Sequence, residues 1–550
     1  MRSALRLVFP GASCLFCLLT SLQAQGAHAA VPPPAAPSMA PPTQSGGAAG
    51  EQRRVDDRGR PYEIVRIAKN PALYYRVDES HIRSRINVTY ELIEETADTY
   101  VVRVYEHLRQ TSAVVPDPTA TPLVPAVIPA PPPALPPASD GLIFDDFGAG
   151  LPAGGQWRNG FAVADVNGDG WPDIVHGPPR KSLGVPFVFL GDGKGNWKPW
   201  QAVSLPEAPY DYGDVLAADL NRDGVQDLVF GFHLRGLFAV IGDGKGRFSP
   251  WSTGIDLERP GRAAHRQAFS STALLGLDWN DDGRLDVIAL GEGPRLGPPG
   301  GGATRPDAST RTTGLVAYLN QGDGTWQVHR VAALESLFGT SIASGDFDGD
   351  QVADIAVGAN VFAASELVLL RRTSDRPSSR QVPVASDAYP WSVAAGDFDG
   401  NGRDDLAVGY SRRVDGTWES GVDVILSRPD GTWKGTEIAS VPSRGGVTAL
   451  GSGDLDRDGK IDLVAGTGEG GIWVFRGDAQ GAFTRERAAE LAQAGNGCRC
   501  YRIQLSDLDR DGGADIVATF AGEGGDRDAP DSCPAGGSIR SWRAKTRGTP

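Results

Sequence analysis

Histidine and cysteine are scarce in these 550 residues, at seven and five, and methionine occurs twice. A chain so poor in imidazole and sulfur has little with which to build a zinc or copper centre or a disulfide-dense scaffold. Base is outnumbered by acid, 53 to 68, and no basic stripe occurs, which argues against a nucleic-acid partner. The sequence contains neither G-x-S-x-G nor H-E-x-x-H. Long apolar runs are absent except for Leu7 to Leu19. That run follows Arg2 and Arg6, is interrupted by Pro10 and Gly11, and precedes a small-x-small site at Ala27-His28-Ala29. Residues 1–29 therefore read as a secretory signal rather than an uncleaved anchor, with no transmembrane segment left after cleavage. The expected location is secreted, periplasmic or cell-surface. Cys498, Cys500 and Cys533 would remain. They allow one disulfide, from either Cys498 or Cys500 to Cys533, or three free thiols.

Glycine and proline are plentiful, at 72 and 41, but unevenly spread. Residues 30–50 are rich in Pro and Ala and are expected to be disordered. Residues 51–111 read as a small α+β or β domain. Tyr62 to Ile67 forms one strand there, and Ile86–Glu95 with Thr99–His107 forms a hairpin. Residues 112–139 are a Pro-rich spacer of polyproline II type.

From residue 140 to 545 one pattern recurs seven times, at intervals of 54, 59, 68, 51, 57 and 53 residues. Each copy has a short apolar strand, an acidic loop and a second apolar strand. Most add a Gly/Asp turn ahead of an aromatic, as in Gly191 to Trp197, Gly242 to Phe248, Gly322 to Trp326, Asp430 to Trp433 and Gly477 to Phe483. Asp-Gly between apolar runs signals a hairpin. Four strands per copy make a blade, so the region is expected to be an all-β, seven-bladed β-propeller. The seventh copy lacks its last strand. Leu142 to Phe147, ahead of the first copy, can supply it and remove two open edges.

The acidic loops follow D-x-[DN]-x-[DN]-G-x-x-D. Positions 1, 3, 5 and 9 hold Asp165, Asn167, Asp169 and Asp173 in the first loop, and Asp219, Asn221, Asp223 and Asp227 in the second. The third has Asp278, Asn280, Asp282 and Asp286, and the fourth Asp346, Asp348, Asp350 and Asp354. The fifth has Asp397, Asp399, Asn401 and Asp405, the sixth Asp454, Asp456, Asp458 and Asp462, and the seventh Asp507, Asp509, Asp511 and Asp515. A calcium ion takes about six to eight oxygens, and side chains at alternating positions of a tight loop converge to supply them. Position 6 is glycine for the sharp turn, except for Gln351. These are not EF-hands, because position 12 is never Glu and the flanks read as strands. Together the loops hold 24 carboxylates, whose removal would move the net charge from −15 to +9. Seven Ca²⁺ would bring −15 to −1, so the acidity reads as metal demand.

The seven loops with their Asp-Gly-x-aromatic turns resemble the FG-GAP/VCBS repeat family, whose blades are similar to those of the integrin α-subunit propeller. The resemblance covers about 140–545. It implies calcium between the first two strands of a blade. The family includes adhesion proteins, lectins and polysaccharide-degrading enzymes.

The segments entering the first strand of each copy lie on the face opposite the loops. They carry Trp157, Tyr210 with Tyr212, Phe269, Phe338, Tyr389 with Trp391, and Tyr501, with Arg444 in the sixth copy. Arg158, Arg262, His265, Arg266 and Arg502 stand nearby. Trp157, Tyr212, Phe338, Tyr389, Trp391 and Tyr501 are the candidate ligand contacts, since aromatics with arginine suit sugars or a peptide acid. The alternative is that they pack between blades. Function is therefore expected to be binding or adhesion, toward carbohydrate or an extracellular protein. The other reading is a calcium-dependent polysaccharide lyase or hydrolase, with His265 beside Arg262 or Arg266 as base.

Overall fold

A computed structural model of the protein describes the backbone of four strands between 54 and 106, and residues 141–546 except 159, 180–184, 209, 234, 256–267, 294–311, 332–336, 362–363, 372–377, 382–387, 523–532 and 534–535. For 359–387 the described part is backbone only. The signal, the segment 30–50 and the spacer 112–139 lie outside the described residues. The chain divides into two compact units, Met1–Arg109 and Gln110–Pro550. In the first, the strands order as Arg54–Val55, Pro61–Ala68, Thr99–Glu106 and Val88–Glu95, all antiparallel. The hairpin read from the alternation of Ile86–Glu95 and Thr99–His107 is the second half of this sheet, pairing Val88–Glu95 with Thr99–Glu106.

Among its described residues the second unit contains seven four-stranded antiparallel sheets. Six are built from strands in chain order. The first strands of the seven are Phe161–Ala164, Val215–Ala218, Ser271–Leu277, Gly339–Gly345, Ala388–Gly396, Val447–Gly453 and Arg499–Ser506. Each packs against the next, and the last packs against the first, so the sheets form a closed, propeller-like cycle. The second strands are sandwiched between neighbouring sheets. Asp227–Phe232 and Asp286–Gly291 are buried at every position. That accounts for their unbroken Leu-Val-Phe and Val-Ile-Ala-Leu runs, since a strand covered on both faces has no polar side. The apolar clusters cross the sheet boundaries: Val229 and Leu220 of the second sheet pack with Leu274, Val287 and Val316 of the third.

The seventh sheet closes across the chain. Arg499–Ser506, Asp515–Ala521 and Ser538–Thr546 are joined by Leu142–Asp146 as the outer strand, with Trp542 opposite Asp146 and Thr546 opposite Leu142. The fourth sheet, whose sequence carries no Asp-Gly turn, still has its outer strand at Ser378–Gln381.

Hydroxyls stitch the first strands to their neighbours. Thr272 Oγ1 donates to Gly339 O at 2.8 Å, Thr340 Oγ1 to Trp391 O, Ser392 Oγ to Val447 O at 3.0 Å and Thr448 Oγ1 to Cys500 O at 2.6 Å. Arg502 reaches from the seventh sheet to Asp214 of the second, with Nη2 3.1 Å from Oδ2. Burial pushes the Asp214 carboxyl up, and the arginine opposes that. Cys498 is bonded to Cys533. Cys500 is buried with its thiol pushed up by desolvation.

Candidate metal loops and the opposite face

Each acidic loop is held by its own carboxylates before any ion is considered. The carboxylate at position 1 accepts the backbone N–H of position 6 in all seven loops, at 2.7–2.9 Å. The side chain at position 5 accepts the N–H of position 7 in all seven. Outside the fourth loop, the aspartate at position 9 accepts two backbone donors. One is position 2 of its own loop, such as Leu220 N on Asp227 at 2.8 Å, and the other is on the third strand, such as Gly242 N at 2.8 Å. In the fourth loop Asp404 of the neighbouring loop accepts Asp346 N at 2.8 Å. The Asp-x-Asp spacing thus supplies a backbone scaffold as well as oxygens.

That scaffold needs left-handed backbone twice per loop. Position 6 has φ between 66° and 96°, and position 4 between 58° and 74°. Glycine at position 6 announces the first. The second is invisible in the sequence, because position 4 is Gly168, Arg222, Asp281, Gly349, Gly400, Arg457 or Arg510. Gln351 holds φ 66° at position 6, where the other six loops have glycine. A side chain in that region costs about 1–2 kcal/mol. Gln351→Gly is therefore expected to stabilise the protein by about 1 kcal/mol in a calcium-saturated melt; a lower melting temperature would show that the Gln351 side chain does something the backbone argument omits.

Oxygens converge. One carboxylate oxygen from each of Asp346, Asp348 and Asp350 lies within 4.8 Å of the others, and the same holds for Asp397, Asp399 and Asp405, for Asp454, Asp456 and Asp462, and for Asp507, Asp509 and Asp511. Oxygens on opposite sides of a calcium ion are about 4.6–5.2 Å apart, so the separations fit a divalent cation. Asp399 Oδ1 is buried without a hydrogen-bond partner. Desolvation also pushes the carboxyls of Asp173, Asp405, Asp462 and Asp515 up to about 7, and those of Asp227 and Asp286 to about 6, despite two N–H donors each. A buried carboxylate of this kind lacks positive charge, which a cation at the loop centre would supply.

On the opposite face the aromatics do not form one continuous ring. Trp157 is 4 % exposed and packs edge-on to His176 at 5.1 Å, so it is core, contrary to its expected place as a ligand contact. Phe269 and Tyr210 are buried as well. Tyr212 is half-buried and stacks on His233 at 4.7 Å, and His233 Nδ1 lies 2.7 Å from Glu292. Phe338 is half-buried beside Gly293. Tyr389 is 36 % exposed and tilts onto Trp418. The structure does bring Trp391 and Tyr501 together, through a residue the sequence reading passed over. The Arg499 guanidinium lies 4.7 Å from the Trp391 ring centre and 5.5 Å from that of Tyr501, and Arg158 lies 5.4 Å from Tyr501. Nothing in the sequence flags Arg499, because its partners are 108 and two residues away. Arg502 is turned inward to Asp214. Arg262, His265 and Arg266 lie outside the described residues.

The chain matches the FG-GAP-like repeat at 181–230, 278–357 and 454–518, and the FG-GAP repeat at 389–419. It is 34 % identical to human integrin alpha-7 over 143 residues, 24 % of this chain and 12 % of the relative. It is 26 % identical to Drosophila melanogaster integrin alpha-PS2 over 236 residues, 38 % of this chain and 16 % of the relative. The match thus spans a small part of either integrin chain. Among solved structures, the V. cholerae biofilm matrix protein Bap1 aligns over 74 % of this chain and 91 % of its own, at 10 % identity and a TM-score of 0.32. No helix among the described residues is long and apolar enough to cross a membrane.

Proposed function

We propose, from the chain's membership of the FG-GAP, integrin-α-like repeat family, that it is a calcium-loaded binding or adhesion module for an extracellular protein, placed outside the cell or on its surface. The observation that supports this best is the convergence of loop carboxylates within 4.8 Å in four of the seven first-to-second-strand connections, those starting at Asp346, Asp397, Asp454 and Asp507. Positions 1, 3, 5 and 9 of each loop would hold the ion, up to seven in all, and oxygen-only donors favour calcium over softer metals. Bound there, the ion supplies the charge that lets three or four carboxylates share one loop.

The ligand-facing surface in this reading is the face opposite the loops, where Trp391, Arg499, Tyr501 and Arg158 form one aromatic–cationic strip. Such a strip suits a peptide segment that carries a carboxylate, which arginine can pair and an aromatic can cover. The repeat-bearing integrins give the protein-ligand reading its support; the carbohydrate reading has no comparable support.

A screen against extracellular-matrix proteins would supply the ligand. With it, Trp391→Ala and Tyr501→Ala are each expected to weaken binding about fivefold or more, since a stacked ring contributes on the order of 1 kcal/mol. The calcium-dependent melt should not change. Normal binding by both variants would move the ligand site elsewhere.

A further inference from the structure

Position 3 divides the loops into two kinds. Asn167, Asn221 and Asn280 donate Nδ2–H to the neighbouring aspartate at position 5, at 2.9 Å in each case. The other four loops have aspartate there, and the third strand differs with them. In the sixth and seventh sheets the residue following the partner of position 10 is an arginine, since Leu463 faces Phe475 and Ile516 faces Trp542. Arg476 Nη1 lies 3.3 Å from Asp456 Oδ2, and Arg543 Nη1 lies 3.2 Å from Asp509 Oδ2. The same register position in the fourth sheet is Arg371. In the fifth sheet Arg428, two residues further along, has Nη1 3.5 Å from Asp399 Oδ2. In the three asparagine sheets that register position is aliphatic, as Leu190, Ile241 and Leu319.

We infer that Arg428, Arg476 and Arg543 are counter-cations that set the charge their loops present to the ion, so that aspartate is admitted at position 3 of the fifth, sixth and seventh loops because an arginine at the third strand offsets it. The inference rests on the cation-binding reading above. Arginine does not lose its proton, so its charge is a fixed part of the site. At position 3 of the fifth, sixth and seventh loops the guanidinium faces the aspartate directly and offsets a charge that asparagine does not carry in the first three, and Glu486 and Asp145 share the arginines of the sixth and seventh. In this way the loops of both kinds hold an ion without either one accumulating a charge that the metal-free chain must bear.

The seventh loop is the place to test this, because Gly513 at position 7 adds no charge of its own and the Arg457 guanidinium, 3.4 Å from Asp511 Oδ2, is the same in every variant compared. Arg543→Met removes the charge while keeping a stem over Phe147, on which the guanidinium now rests at 5.4 Å. Hydrogen exchange of the 507–515 amides, followed against free calcium, reports that loop separately from the other six. Arg543→Met is expected to lower the calcium midpoint by roughly tenfold, as loss of a nearby like charge should. Asp509→Asn is expected to raise the midpoint by a similar factor, and the double variant to recover what Asp509→Asn loses. Arg543→Lys, which keeps the charge, should stay close to wild type. The reciprocal Leu190→Arg should raise the midpoint of the 165–173 loop. An Arg543→Met midpoint that rises or does not move would mean that the arginine merely positions Asp509, and would overturn the inference alone. A wild-type chain with no calcium-dependent protection in any loop would overturn the inference and the cation reading together.

Discussion

Removing divalent cations with EGTA is expected to lower the melting temperature by roughly 10 °C or more, and excess calcium to restore it. A ligand held only by the folded state stabilises by mass action, about 2.7 kcal/mol per site at one hundred times its dissociation constant. Several such sites act on one closed cycle of sheets, where opening any boundary exposes the apolar clusters on both sides. The metal-free loops also have a cost of their own, since buried carboxyls such as Asp173 and Asp462 are pushed up to about 7 by desolvation. Magnesium should restore less of the loss than calcium, because it demands a tighter octahedral shell. A melt that is the same in chelator and in excess calcium would remove the cation from the account.

Loss of the strand Leu142–Asp146 is expected to unfold the second unit or leave it aggregating. A chain starting at residue 140 should fold and respond to calcium; one starting at residue 155 should not. The short version loses five ladder positions along Ser538–Thr546. It also loses Leu142, Phe144 and Phe147, all buried, at roughly 1.5–3 kcal/mol each. The tie to the first sheet goes too, since Phe147 O accepts Trp197 Nε1 at 2.8 Å, and so does the bond that Phe147 O accepts from Ser541 Oγ of the seventh sheet at 2.7 Å. Phe144→Ala, a smaller change, should cost about 3–5 kcal/mol in a denaturant titration. Equal stability of the two truncations would mean that the cycle closes without this strand.

The sequence made the repeats and the closing strand readable because both are local. A nine-residue motif recurs in register, and an unassigned apolar run stands at one end of an array that lacks a strand at the other. The loops' second left-handed position was hidden because Arg222, Arg457 and Arg510 occupy it as readily as glycine. The hydroxyl bridges and the Arg502–Asp214 pair were hidden for another reason. Their partners are brought together only by the cycle, 288 residues apart for the arginine and aspartate. The opposite face was half-readable. Recurrence of an aromatic ahead of each repeat was visible, but whether a given ring faces the core, as Trp157 does, or keeps an exposed edge, as Tyr389 does, depends on its neighbours in other sheets. The choice among the three cysteines also needed the fold, which starts the seventh sheet at Arg499 and leaves Cys498 just outside it to meet Cys533.

The closing strand has a consequence in time. Leu142–Asp146 is among the first parts of the second unit to be synthesised, and its partner Ser538–Thr546 is the last. At about 5–20 residues per second, nearly 400 residues of chain growth separate them, roughly 20–80 s. For that interval Leu142 and Phe144 have no strand to pair with, while the six sheets between can each complete their own ladders. The last event in assembly is then the joining of the two ends, and its rate depends on how often a short apolar segment near the start of the unit finds an edge that did not exist until the last strand of the unit had been made.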